Sequence, residues 1–117
     1  MVAVAGSEGG ILLLGVPGFQ HLGNIHAHSG GVTTLASLSG NRLASGGADH
    51  RVCIWDIASK SVIRVLTGHH QAVSSSVWAP AAPRLYTGDR WGSIIAWDIA
   101  NYKLAGYLFD PFSRRRP

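Results

Sequence analysis

The chain is poor in charge and has a single cysteine. Of its 117 residues only 14% are Asp, Glu, Lys or Arg, against 46% hydrophobic. That balance is the reverse of a disordered chain, in which charge is high and hydrophobicity low. The one cysteine, Cys53, excludes an internal disulfide scaffold and a multi-cysteine zinc site, and fits a reducing, intracellular compartment, cytoplasmic or nuclear. Long hydrophobic runs are missing too. The most apolar one, residues 11–16, contains Gly15 and falls far short of the roughly 20 residues a spanning helix needs. No Lys or Arg precedes it, so the charged region of a signal peptide is not expected, and Met1-Val2 does not match a myristoylation signal. The length suits one domain of ordinary size. No stretch shows a helical 3.6-residue apolar period.

What the sequence does have is repetition. Ile54-Trp55-Asp56-Ile57-Ala58 recurs as Ala96-Trp97-Asp98-Ile99-Ala100, offset by 42, and Val52 maps onto Ile94 at the same offset. Leu43-Ala44-Ser45-Gly46 maps onto Leu85-Tyr86-Thr87-Gly88, while His28 and Val32 match His69 and Val73 at an offset of 41. Each unit reads as four short strands of β-branched or alternating residues. The first holds Val32–Leu38, Arg42–Ser45, Val52–Asp56 and Ser61–Leu66; the second holds Val73–Ala79, Arg84–Thr87, Ile94–Asp98 and Leu104–Phe109. Between them lie turn compositions such as Ser39-Gly40-Asn41 and Gly46-Gly47-Ala48-Asp49-His50, in which glycine is expected to supply positive φ and Asn, Asp and Ser to close the turns. The class is all-β.

Four antiparallel strands per unit, a period of about 40–45 residues and a His…Trp-Asp frame resemble the WD-repeat β-propeller family. The resemblance covers residues 26–109. It implies domains at 26–66 and 67–109, each a four-stranded blade, with residues 1–25 as a degenerate partial blade and 110–117 as a basic, disordered tail. In the partial blade, Val2–Ala5 and Ile11–Leu14 are expected as the two middle strands and Phe19–Ile25 as the outer one, with Gly9-Gly10 as a turn and no Trp-Asp pair following.

The resemblance also implies a polar network. A His before the first strand bonds an Asp in the turn between the second and third strands, and meets a Ser or Thr that accepts from the Trp indole. Unit one supplies His28, Ser45, Asp49 and Trp55, with Ala27-His28 where the family usually has Gly-His. Unit two supplies His69, Thr87 and Trp97, with Trp91 where the Asp belongs. Asp89, two residues earlier, is then an imperfect substitute, and unit two is expected to be the less rigid. The Trp-Asp-x-Arg pattern by which some members dock to a ubiquitin-ligase adaptor is not matched, because Ala58 and Ala100 occupy the Arg positions.

His28, Ser45 and Asp49 have the residue types of a hydrolase triad, but no Gly-x-Ser-x-Gly elbow is present and an indole donor on the Ser opposes nucleophilic use. No histidine set has metal-ligand spacing, and neither metal nor cofactor is expected. Cys53 shares a strand face with Trp55 and reads as a small core residue. Candidate partner contacts are Asp89, Arg90 and Trp91 on one loop, with His50, His70 and Gln71 on the same face of the disc; Arg and Trp are enriched at interface hot spots. For Trp91 the alternative is a filler between neighbouring blades. The tail Ser113-Arg114-Arg115-Arg116-Pro117 is a second candidate, for nucleic acid or acidic partners.

These readings point to a non-enzymatic scaffold module for protein–protein interaction. The nucleic-acid contact and a hydrolase using Ser45 are the alternatives. Just under three units cannot close a propeller of four to eight blades. The expectation is therefore part of a longer propeller, ahead of a ring completed by self-association or a short open stack.

Overall fold

The computed structural model describes the backbone of residues 2–5, 10–14, 21–26 and 28–109, with side chains from residue 28 onward. The sequence-predicted tail at 110–117, the start of the third strand at Phe19, Gly9 and Ala27 lie outside the described residues. Eleven strands form three antiparallel sheets. The first contains β1 (Val2–Ala5), β2 (Gly10–Leu14) and β3 (His21–His26), paired in sequence order. The second contains β4 (Val32–Leu38), β5 (Arg42–Gly47), β6 (Val52–Asp56) and β7 (Ser61–Leu66). The third contains β8 (Val73–Ala79), β9 (Arg84–Asp89), β10 (Ile94–Asp98) and β11 (Lys103–Phe109).

Three strands run further than the turn compositions suggest, and the first is β2, which begins at Gly10, expected in a turn but paired with His26 of β3. β5 continues through Gly46-Gly47 and β9 through Gly88-Asp89, because these residues pair with β4 and β8 instead of turning. In that hairpin it is His50, not a glycine, that takes positive φ, at 72°. Gly46 and Gly47 serve close approach. A Cβ on Gly46 would lie 2.7 Å from Val73 Cγ1, and one on Gly47 2.4 Å from the His28 ring. Glycine does turn the chain at Gly40 (φ 75°), next to Asn41 (φ 61°). At the opposite end of the sheets, Asp56 and Asp98 close the β6–β7 and β10–β11 turns by accepting from the backbone N–H groups of Ala58 and Ala100, each at 3.0 Å.

Successive side chains point to opposite faces of each sheet, and in the middle strands both sets are buried, so the core lies between sheets. Ala44, Val52, Ile54 and Leu66 on one face of the second sheet pack against Val73, Leu85, Ile95, Trp97 and Ile99 of the third. The other face of the second sheet buries Val32, Leu43, Cys53, Trp55 and Ile57 on the side of the first sheet, whose β1 lies beside β4. The junction between second and third sheets has polar pins as well. Thr34 Oγ1 and Ser76 Oγ are 2.8 Å apart, and the Thr33 hydroxyl donates to the carbonyls of Gly46 and Val73. At the far edge, Arg42 donates to the hydroxyl of Tyr102 at 2.8 Å, and the guanidinium carbons of Arg42 and Arg64 lie 5.9 and 6.0 Å from the Tyr102 ring centroid.

Register extends the repeat to the first sheet. A bulge separates Ile54 from Trp55 in the β6–β7 pairing and Ala96 from Trp97 in the β10–β11 pairing. The corresponding bulge in β2–β3 separates Leu13 from Leu14, so Leu14 holds the tryptophan's register position.

The inter-sheet core should dominate stability. Ile95→Ala removes a side chain with no exposed surface and should cost about 2–5 kcal/mol, read as a lower urea midpoint with an unchanged m-value. A cost under 1 kcal/mol would mean that the two sheets do not pack as described.

Candidate functional site

The most buried polar groups are two parallel four-residue networks, one in each four-stranded sheet. In the second sheet, His28 Nδ1 lies 2.8 Å from Asp49 Oδ1 and His28 Nε2 lies 2.8 Å from Ser45 Oγ. The Trp55 indole donates to the same Ser45 oxygen at 2.9 Å. In the third sheet, His69 Nδ1 lies 2.8 Å from Asp89 Oδ2, His69 Nε2 lies 2.6 Å from Thr87 Oγ1, and Trp97 donates to Thr87 at 2.8 Å.

An indole N–H can only donate, so the Ser or Thr oxygen accepts from it and has its own proton left for His Nε2. In the tautomer that uses that proton, Nε2 accepts and the imidazole proton sits on Nδ1, donated to the carboxylate. Each chain links indole, hydroxyl, imidazole and carboxylate in that order. Among the described residues no buried side-chain nitrogen or oxygen lacks a partner.

The third sheet corrects the expectation of an incomplete unit two. Asp89 supplies the carboxylate, and its other oxygen accepts from the backbone N–H groups of Trp91 (2.9 Å) and Ser93 (3.1 Å). Sequence alignment puts Asp89 opposite Gly47 and Trp91 opposite Asp49. The two loops reach one arrangement by different routes. In the second sheet the acid comes from the turn, and a side chain at position 47 would collide with both His28 and Asp49. In the third sheet the acid sits at the strand end itself, more deeply buried than Asp49. Asp89 is therefore a network residue and not an exposed contact, and unit two carries as complete a network as unit one.

Electrostatics follow from burial and partners. Burial alone would push both carboxyls up, but the hydrogen bonds from His28 and His69 and from the loop N–H groups outweigh it and hold Asp49 and Asp89 below the usual 3.8. Burial pushes His69 below the usual 6.5 against the pull of Asp89, and the nearby His70 and His50 add to the downward shift. Burial likewise pushes the Cys53 thiol up to about 11, so it is held as an unreactive thiol.

Ser45, His28 and Asp49 have the hydrogen-bond order of a hydrolase triad, but Ser45 is 1% exposed and its oxygen already takes the indole proton. That position gives a substrate no approach. Around the networks, His50, His70, Arg90 and Trp91 are exposed and Gln71 is half-buried. The loop holding Arg90 and Trp91 is tied to the segment before β8 by Arg90 N–H donating to Ala72 O at 3.1 Å. Gly47, Thr33, and the Arg42–Tyr102 pair escaped sequence reading. The missing Cβ opposite Asp89 was the available signal for Gly47; a pairing 60 residues apart left none for Tyr102.

A family model, WD domain, G-beta repeat, matches residues 19–56 and 60–98. The chain belongs to the WD-repeat family. Each matched WD repeat starts around the strand that closes one sheet (β3, β7) and ends on the third strand of the next (β6, β10), so the sequence repeat and the blade are offset by one strand. WD repeat and FYVE domain-containing protein 2 of Caenorhabditis briggsae is 37% identical over 78 residues, covering 64% of this chain and 18% of that protein. The Set1 complex component swd1 of Schizosaccharomyces pombe is 39% identical over 74 residues, covering 63% of this chain and 18% of that protein. The solved structure of the RRP9 WD40 repeats superposes with a TM-score of 0.85 at 26% identity, covering 95% of this chain and 36% of that one. The chain thus spans under a fifth of the relatives it matches and about a third of a solved WD propeller chain. No helix among the described residues is long and apolar enough to cross a membrane.

Two outcomes test the WD network. Asp89→Ala strands a buried imidazole and two N–H groups and should cost about 2–4 kcal/mol, whereas Trp91→Ala, at an exposed position, should cost less than about 1 kcal/mol. Equal losses in denaturant titrations would mean that the Trp91 side chain fills space between blades and that Asp89 is not the buried acid of the network. The pH profile has two windows. His69 has a depressed folded pKa, so its contribution is complete above about pH 6.5 and is lost as pH falls below that toward the folded value. Asp49 and Asp89 are depressed as well, so theirs is complete above about pH 3.8 and lost as pH falls through their folded values. The midpoint of thermal unfolding should therefore fall in two steps on acidification, and His69→Gln should flatten the upper one.

Proposed function

We propose that this chain supplies part of a WD-repeat propeller acting as a non-enzymatic, intracellular scaffold for protein–protein assembly, with blades at 26–66 and 67–109 and a partial blade at 1–25. The observation that carries the reading is the fate of the polar side chains. Both networks spend their imidazole, hydroxyl and carboxylate groups on tying loops to strands, inside the fold. What reaches the surface is a set of loops on one end of the blades, held rigidly from below. The relation to a component of the Set1 complex supports a role in multiprotein assemblies.

The remaining blades are the second class of partner. Ala36, Ala44, Val52 and Leu66 of the first full blade face the second one, and by register their counterparts in the second are Val77, Tyr86, Ile94 and Phe109. Val52 is 1% exposed and Leu66 4%, while Ile94 is 39% and Phe109 55%. The open face carries the residue types that the buried face uses, and it suits another blade packed in the same orientation.

The partner-binding surface comprises Arg90 and Trp91 with His50, His70 and Gln71. In affinity purification followed by mass spectrometry, the wild-type chain should recover a defined set of proteins. A variant combining His70→Ala, Arg90→Ala and Trp91→Ala, with an unchanged melting temperature, should lose them. Retention of the same set by that variant would remove this face from the proposal. Hydrolysis of p-nitrophenyl acetate abolished by Ser45→Ala, in a variant that stays folded, would overturn the non-enzymatic reading.

A further inference from the structure

The loop end of the two blades has an unusual division of charge. Among the described residues its only acids are Asp49 and Asp89, since Asp56 and Asp98 close turns at the opposite end of the strands. Both are turned inward. Asp49 accepts from His28 and from the N–H groups of Ser29 and Arg51, and Asp89 from His69 and the N–H groups of Trp91 and Ser93, so every carboxylate oxygen already faces a donor. The cations of the same loops point the other way. Arg51 and Arg90 are exposed, as are the neighbouring His50 and His70, and among the described residues neither arginine forms a salt bridge with an acid. These groups lie on adjoining loops. His50 and His70 both act electrostatically on His69, and Arg90 is bonded through its backbone to the segment that carries His70. Trp91, 50% exposed, stands beside Arg90.

We propose that this loop face binds an acidic, extended protein segment, with Arg51 and Arg90 receiving carboxylates and Trp91 receiving an apolar side chain of the same segment. The inference rests on the reading that the loop face is the partner-binding surface, and it adds the chemistry of the partner. Arginine is suited to the task because its planar fork takes a carboxylate through two parallel hydrogen bonds. A tryptophan next to it supplies apolar area that an ordered segment can cover. A basic partner would meet two guanidinium groups of its own sign, and a purely apolar one would strand them.

Fluorescence anisotropy of the whole chain with labelled twelve-residue peptides tests this. The probes are a Glu/Asp peptide with a central Leu, its Ser/Gly counterpart and its Lys counterpart. The acidic peptide should bind, weaken between 50 and 300 mM salt (values chosen to bracket a Debye length of about 10 Å), and lose at least about tenfold in affinity with Arg51→Glu plus Arg90→Glu. Trp91→Ala should weaken it several-fold, and replacing the central Leu by Ser should do the same. The control pair Arg84→Glu plus Lys103→Glu changes net charge equally at the opposite end and should leave binding intact, with melting temperatures checked for each variant. An equal loss in the control pair would show unspecific charge attraction and overturn the proposal. Tighter binding of the Ser/Gly or Lys peptide, lost in Trp91→Ala, would overturn the acidic class while keeping the face as a binding surface. A twelve-nucleotide single-stranded DNA that outcompetes the acidic peptide would assign the face to nucleic acid instead. No binding of any peptide or of the DNA would overturn this proposal and count against the face as a partner surface as well.

Discussion

A buried imidazole is the constraint on which the rest of this structure depends. His28 and His69 are packed at the junction between loops and strands, where water cannot reach them, and an imidazole there must find one donor and one acceptor or weaken the fold. The sequence answers with a carboxylate on one side and a hydroxyl on the other, and the hydroxyl is in turn committed by an indole. Because the indole can only donate, the hydroxyl accepts from it and keeps its own proton available to the imidazole. The same series links the segment before the first strand, the second strand, the loop after it and the third strand of each blade. Removing a single member disturbs four pieces of chain at once, which is why the networks organise the blade and do not merely decorate it.

Stacking of blades sets a second requirement, met by small residues. Gly46 leaves the space into which Val73 of the following blade packs, and Gly88 holds the corresponding register position on the second blade. The apolar junction is thus continuous with a hydroxyl pair and with the Tyr102 contact to Arg42 and Arg64, so it is oriented as well as cohesive. Hydrophobic area alone would let two sheets slide; directional contacts at both ends of the junction fix their angle. The face of the second blade that presents Val77, Ile94 and Phe109 has the apolar composition of that junction and is exposed.

How much of this was legible in the sequence depended on distance and on indexing. The Trp55-Asp56 and Trp97-Asp98 pairs, the strand segments around them and the two histidines stand at nearly constant offsets, and constant offsets survive in a linear reading. The acid of the second blade did not, because matching by offset sets Trp91 against Asp49. Geometry matches a different pair: a carboxylate can reach the imidazole from the turn or from the strand end, provided the other position is vacated. Gly47 is the vacated position in one blade, and Asp89 fills it in the other. A reading that asked which residue was small, as well as which was acidic, had the signal in hand. The role of the glycine pair is hidden for a related reason, since closeness to His28 and Val73 leaves no trace in turn propensity, and His50 takes the positive φ that turn composition assigns to glycine. The Tyr102 contact joins residues 60 apart and depends on the angle between blades, which no local pattern encodes.

The surface of the loop face follows from what the interior consumes. A network that needs a carboxylate beneath each loop draws aspartate inward, and the N–H groups of the same loop turn inward to meet it. The side chains of those loop residues are then directed outward by the backbone that the network holds. Arg51 and Trp91 are examples: each offers its backbone N–H to the buried acid while its side chain reaches solvent. Rigidity and charge at the surface therefore have one origin. In a chain with few charged residues, committing two aspartates to the interior is enough to leave the outer layer of this face to arginine, histidine and tryptophan. A partner that docks here meets groups whose placement was decided by the need to satisfy an imidazole several ångströms below.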